Sequence, residues 1–116
     1  MKFSDLFFWI HKTGLINRNL FKACEMNNVK IQHHPTEKTL TDLKIKEWPI
    51  WSKEVSKFEW FYDEEETCYF LEGQVKLDID NGRLEFGKGD LVTLPKGLSC
   101  TWNITMPVRK HYKFGK

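Results

Sequence analysis

Val75-Lys-Leu-Asp-Ile-Asp-Asn81-Gly82-Arg-Leu-Glu-Phe86 is the stretch on which the reading of this chain turns. Val75, Leu77 and Ile79 alternate with Lys76, Asp78 and Asp80, the period of a strand with one buried face. Asn81-Gly82 is the residue pair that a type I′ hairpin turn favours, and Leu84 and Phe86 resume the alternation on the return strand.

The same grammar extends in both directions. Upstream, Thr67–Leu71 and Lys57–Tyr62 read as strands on either side of an acidic turn. Trp48-Pro-Ile-Trp51 is extended, because a residue before proline avoids the helical region. Val29 and Ile31 open the first strand, and Pro35 ends it. Between Pro35 and Trp48, Thr39 with Asp42 predicts one short helical turn, with Leu40 and Leu43 toward the core. Downstream, Gly87-Lys-Gly89 turns into Leu91–Leu94, Pro95-Lys-Gly97 into Leu98–Thr105, and Met106-Pro107 into a last strand, Val108–Phe114. Gly73 and Gly97 stand where strands are expected to reverse through a positive φ. The sum is about eight short strands at ~8–12-residue spacing, which predicts an all-β sandwich or barrel rather than a parallel α/β sheet. A small jelly roll fits this rhythm and leaves a cavity between two curved sheets.

Composition narrows the class. At 116 residues the chain suffices for one domain, and 41% hydrophobic with 15% aromatic residues is too rich for a disordered chain. Eighteen basic residues against 16 acidic ones, interspersed along the chain, form no basic stripe, so no nucleic-acid partner is expected. No apolar run approaches the ~20 residues of a membrane-spanning helix, so no membrane span is expected. There is no P-loop and no Gly-x-Gly-x-x-Gly after a strand. The three cysteines, Cys24, Cys68 and Cys100, form no C-x-x-C pair, which argues against a disulfide framework and for a reducing, cytoplasmic setting.

Residues 1–28 read as an N-terminal extension to a domain at 29–116. Phe3, Leu6, Phe7, Ile10, Leu20 and Phe21 recur at near-helical spacing among Lys2, Lys12, Arg18 and Lys22, with Gly14 interrupting. The segment packs on the domain or on a neighbouring subunit, lies on a membrane surface, or precedes a start at Met26. Its apolar run Leu6–Ile10 is shorter than the about 7–15 residues of a secretory core, so no signal peptide is expected.

Two stretches carry more than periodicity. They are Trp60-Phe-Tyr62-Asp-Glu-Glu-Glu66-Thr-Cys-Tyr-Phe-Leu-Glu72-Gly73 and Gly89-Asp-Leu-Val-Thr-Leu-Pro95-Lys-Gly97-Leu-Ser-Cys100-Thr-Trp102. Together they resemble the two motifs of the cupin superfamily. Glu66 and Gly73 match the glutamate–glycine spacing of the first motif; Gly89, Pro95 and Gly97 match the second. The departures fall on the metal ligands. Trp60 and Tyr62 occupy the H-x-H positions, Cys100 the third histidine, Glu54 the leading glycine and Ile104 the asparagine, so only Glu66 of the usual ligands remains. The resemblance therefore implies a small cupin-type jelly-roll β-barrel without the usual three-histidine site, and a metal cofactor is not expected. Trp48-Pro-x-Trp51, Leu71-Glu-Gly73 and Lys110-His-Tyr112 make the chain similar to one branch, the ureidoglycine aminohydrolase-type and ethanolamine-utilisation cupins. That branch implies a small polar ligand, such as a ureide, and a homodimer.

Superimposing the family pattern puts Trp60, Tyr62, Glu66, Cys100 and Trp102 around one cavity. The competing readings are that the aromatics only fill the barrel, that Glu66 belongs to a solvated turn, and that Cys100 is an inert buried thiol. On the last strand Val108, Lys110, Tyr112 and Phe114 share a face. If that face is the core, Lys110 points inward to bind an anion or pair with Glu66; in the opposite register His111 becomes the pocket residue, and an atypical metal site from Glu66, Cys100 and His111 becomes conceivable. His33-His34 reads as an exposed strand end. Glu66, Cys100 and Lys110 are thus the expected catalytic groups, and Trp60, Tyr62, Trp102 and His111 the expected ligand contacts. Glu66→Gln is expected to abolish ligand binding with little loss of stability. The alternative is a non-catalytic regulatory or oligomeric interaction module.

Overall fold

The computed structural model describes residues 23–115. The amphipathic pattern over residues 1–22 lies outside the described residues. In chain order the elements are β1 (Ala23–Met26), β2 (Val29–His33), α1 (Glu37–Asp42), a 3-10 turn (Ile45–Glu47), β3 (Ile50–Lys53), β4 (Ser56–Phe61), β5 (Glu66–Ile79), β6 (Gly82–Gly87), β7 (Asp90–Leu94) and β8 (Ser99–Phe114). All strand pairings are antiparallel.

Two long strands organise the rest. The first half of β5 pairs with β7 and with the end of β8, giving the order β1-β2-β7-β5-β8-β3. The second half of β5 pairs with β6 and with the start of β8, whose other edge takes β4. Because β5 and β8 belong to both sheets, the two sheets curl into a jelly-roll barrel rather than stacking as separate layers. Val29, Ile31, Phe70, Val75, Leu77, Phe86, Val92 and Ile104 fill its core, each at most 2% exposed.

The continuity of β5 and β8 corrects the expected turns at Gly73 and at Met106-Pro107. Neither strand reverses there. The pairing slips between Phe70/Glu72, Glu72/Gln74 and Gln74/Val75, so both strands bend through bulges. Gly73 (φ 111) makes the bend possible. A Cβ on it would stand 2.6 Å from the Pro107 carbonyl oxygen and 2.7 Å from the Val108 Cα. Pro107 is tolerated because it is exposed at this irregularity and has no ladder partner there.

Three smaller readings also change. The hairpin after β5 turns on Asp80-Asn81, one residue earlier than expected, with Ile79 paired to Gly82; neither turn residue has a positive φ, so it is not type I′. Positive φ at two successive residues occurs instead at Asn27 (53°) and Asn28 (65°), joining β1 to β2. Among the described residues the sheet thus includes Ala23–Met26, a strand that the sequence reading did not assign. Finally, α1 is capped by Thr36, whose hydroxyl accepts from the Thr39 N–H, and it buries no residue. Leu43 is 42% exposed; Lys44 in the left-handed region (φ 58) ends the helix and turns Ile45 inward instead, at 3% exposure.

Gly73→Ala combines a forbidden φ with a backbone clash, whereas Gly97 (φ 91) has open space around the position of a Cβ. Urea denaturation is expected to show a loss of about 3 kcal/mol or more for Gly73→Ala, against about 1–2 kcal/mol for Gly97→Ala. Equal losses would mean that the bend does not depend on the close approach of the two strands.

Candidate functional site

β8 lies between β3 and β5, and the register sets Lys110 opposite Trp51 on one side and Phe70 on the other. All three side chains point into the barrel, where Trp102, eight residues earlier on β8, completes a cage. The Lys110 Nζ sits 4.6 Å from the Trp102 ring centroid, 4.8 Å from that of Trp51 and 5.7 Å from that of Phe70. Ring faces attract a cation, more so where water is excluded. The remaining compensation is direct: Lys110 Nζ donates to Glu66 Oε2 at 2.8 Å, and the Tyr62 hydroxyl donates to Glu66 Oε1 at 2.7 Å. Both side chains of the ion pair are 5% exposed.

This triad stands on the wall of a cavity of about 250 Å³, bordered otherwise by Trp51, Phe58, Trp60, Trp102, Tyr112 and Phe114. Trp60 is half exposed at the rim and meets Tyr62 edge-on at 6.4 Å. Phe58 stacks on Trp102 at 6.1 Å with planes 7° apart. The Trp102 indole N–H is buried without a hydrogen-bond partner among the described residues. The cavity is thus aromatic, with its polar groups gathered on one side. Burial, and then the charge of Glu66, push the Tyr62 hydroxyl well above the ordinary tyrosine range, so it remains a donor. Cys68, fully buried beside Lys110 and Glu66, is pushed by burial up to about 12, against an opposing pull from the Lys110 charge.

Of the expected site residues, Glu66, Lys110, Tyr62, Trp60 and Trp102 come together here. Cys100 and His111 do not. Cys100 borders a second, more open groove with Glu59, Phe61, Asp78 and Asp80, and its thiol donates to the Trp60 carbonyl oxygen at 3.6 Å. Burial pushes that thiol up to about 11, which keeps it protonated near neutral pH, and a protonated thiol is a poor nucleophile. His111 faces out of the barrel, where its Nδ1–H donates to the Trp48 carbonyl at 2.8 Å beneath the segment leading into β3. The observed register brings Lys110 inward, so Glu66, Cys100 and His111 do not converge. His33, at the exposed end of β2 as expected, also hydrogen-bonds Asp90 at 2.8 Å.

The walls from Trp51, Phe58, Tyr112 and Phe114 are not among the expected ligand contacts. The alternation of β8 already placed Tyr112 and Phe114 beside Lys110, but the register that sets Trp51 against Lys110 has no signature in sequence. A metal, which the superfamily pattern implies, does not fit these residues. Both Glu66 oxygens are engaged, a cation already occupies the space beside them, and among the described residues no three His, Cys, Asp or Glu side chains converge.

The buried pair also revises the expectation for Glu66→Gln. Removing one partner strands the other charge in a site of low dielectric. Glu66→Gln and Lys110→Met are each expected to lower the unfolding free energy by about 3–5 kcal/mol, and the double variant to recover most of the loss, by urea denaturation. Wild-type midpoints for both single variants would deny the pair a structural role.

Comparisons with known proteins agree with this architecture. The model of the EutQ-like cupin domain matches residues 40–112. A DUF861 family protein from Thermotoga maritima is 53% identical, with 74% of this chain and 98% of that chain covered and a TM-score of 0.71. A DUF861 protein of unknown function from Pseudomonas syringae is 23% identical over 76% of this chain but only 31% of its own, with a TM-score of 0.53. The EutQ protein of Clostridium difficile shares the fold at 15% identity and a TM-score of 0.51, with 84% of this chain and 56% of that chain covered. No curated protein matches the chain.

Proposed function

Because the chain belongs to the EutQ-like cupin domain family, we propose that its barrel cavity binds or transforms a small polar molecule without the usual three-histidine metal site. The observation that carries this reading is the buried Lys110–Glu66–Tyr62 array on the wall of an aromatic cavity. A buried ion pair is generally less stabilising than apolar side chains of the same volume. A barrel that needed only a packed core would be better served by Leu and Met at these positions. At about 250 Å³ the cavity falls below the ~300–1,000 Å³ of sites for drug-sized ligands, so its ligand is small. The rings provide flat stacking surfaces, and two Lys110 protons and the Tyr62 oxygen lone pair retain hydrogen-bonding capacity beyond their bonds to Glu66. The likeness to ureidoglycine aminohydrolase-type cupins makes ureides the first compounds to try.

Trp51, Trp60 and Trp102 border the cavity, so their fluorescence reports occupancy. Titration with a panel of ureides and small amides is expected to give saturable quenching. Trp60→Ala, at a half-exposed rim position, is expected to weaken that binding about tenfold or more while the urea midpoint stays within ~1 kcal/mol of wild type. Unchanged affinity in Trp60→Ala would remove this wall from the site.

The proposal includes a cytoplasmic setting and a homodimer. The free thiols of Cys68 and Cys100 are consistent with a reducing compartment. Ile50 on β3 and Phe61 on β4 are 44% and 58% exposed on strands whose outer edges have no partner among the described residues. Light scattering on the full chain is expected to give twice the monomer mass, and Ile50→Lys with Phe61→Lys the monomer. A monomeric wild type would overturn the assembly. The exposed edges are also the feature that favours the second reading, a non-catalytic interaction module; it predicts a stable oligomer with an inert cavity.

A further inference from the structure

Lys110 is an unusual wall for a binding cavity. It is an amine rather than a guanidinium, it lies 4% exposed among three rings, and a carboxylate touches it at 2.8 Å with a phenol behind that carboxylate. A purely structural countercharge for Glu66 would need no access to open space, yet Lys110 borders the cavity. We propose that Lys110 is a nucleophile that condenses with a small aldehyde or ketone bound in the cavity, forming a Schiff base, with Glu66 as the proton carrier. The proposal rests on the reading of the cavity as a ligand site and names the chemical class of the ligand.

The groups lining the cavity suffice for a balanced reaction. A proton crosses from Nζ to Oε2, which turns the ion pair into a neutral amine and acid without separating charge across the apolar site. The Nζ lone pair then forms a C–N bond to the carbonyl carbon while the C=O π pair moves to oxygen. A second Nζ proton passes to that oxygen, giving a neutral carbinolamine. Glu66 returns its proton to the hydroxyl, water leaves, and the nitrogen lone pair closes the C=N bond. The net change is ketone or aldehyde plus lysine ammonium to iminium plus water. The iminium carries the same charge as the ammonium it replaces, so it keeps the Glu66 carboxylate and the faces of Trp51 and Trp102 as partners. The cage therefore suits both ends of the reaction. Tyr62 is a positioning residue: its donated hydrogen bond fixes Oε1 and leaves Oε2 facing the amine. The surrounding rings favour a flat carbonyl compound.

The test uses the full wild-type chain with benzaldehyde, a flat probe that has no acid or amine of its own, and sodium borohydride to reduce any imine to a stable amine. At sub-stoichiometric aldehyde, intact mass and peptide mapping are expected to show one benzyl group per labelled chain, on Lys110, formed about tenfold or more faster than on any exposed lysine. Tyr62→Phe, which keeps the ring, is expected to slow labelling of Lys110 severalfold while leaving exposed lysines unchanged. Tryptophan fluorescence is read in the same samples before borohydride. Saturable quenching by benzaldehyde with labelling scattered over exposed lysines, or with none, overturns the Schiff-base assignment and leaves the cavity reading standing. The absence of both quenching and Lys110 labelling overturns this assignment and counts against a flat-ligand cavity; ureide binding then decides the broader reading.

Discussion

The antiparallel pairing of β5 with β8 is the constraint from which the other features follow. It spans both sheets and bends where Gly73 lets the Pro107 and Val108 backbone come within contact distance. Without the bend the two halves of each strand would lie in one flat sheet with its apolar face open. With it, the inward faces of both halves look at each other and exclude water from Phe70, Leu77, Trp102 and Ile104. The same pairing brings Glu66 at the start of β5 within reach of Lys110 near the end of β8, 44 residues away in sequence.

The ion pair shows how the fold tolerates charge in such a place. Each member alone would be costly to bury. The carboxylate takes one donor on each oxygen, and the ammonium takes one carboxylate and the π faces of its neighbours. The neighbouring Cys68 thiol responds to the same surroundings: burial holds it protonated, so it does not compete as an anion beside Glu66. The outer face of β8 behaves differently. His111 ends its hydrogen bond on a backbone carbonyl and anchors the segment before β3, which in turn carries Trp51 to the cavity. A residue expected as a ligand contact lies on the outer face instead, hydrogen-bonded to a backbone carbonyl.

Motif spacing identified the family, and single-strand alternation grouped Trp60 with Tyr62, Cys100 with Trp102 and Lys110 with Tyr112 on shared faces, because a strand's period of two is a local property of the backbone; the family pattern turned the first two pairs toward the cavity, and the direction of Lys110 stayed open. Glu66 was legible through its distance from Gly73. Other features were not. Asn27-Asn28 lacks the glycine that announces a two-residue turn, so β1 went unread. Gly73 and Met106-Pro107 carry turn residues, yet the chain continues through both, since a positive φ and a missing N–H suit a bulge as well as a reversal.

The sequence by itself determined the all-β class, the family and which residues of each strand share a face, because these depend on side-chain periodicity and on spacings along one chain. Only the tertiary structure decided which inward residues meet. It put Lys110 between Trp51 and Phe70, sent His111 outward, and parted Cys100 from the cavity that Glu66 borders. The physical reason is that register and strand curvature are set by long-range pairing and by one close backbone approach at Gly73, and no local pattern records either of them.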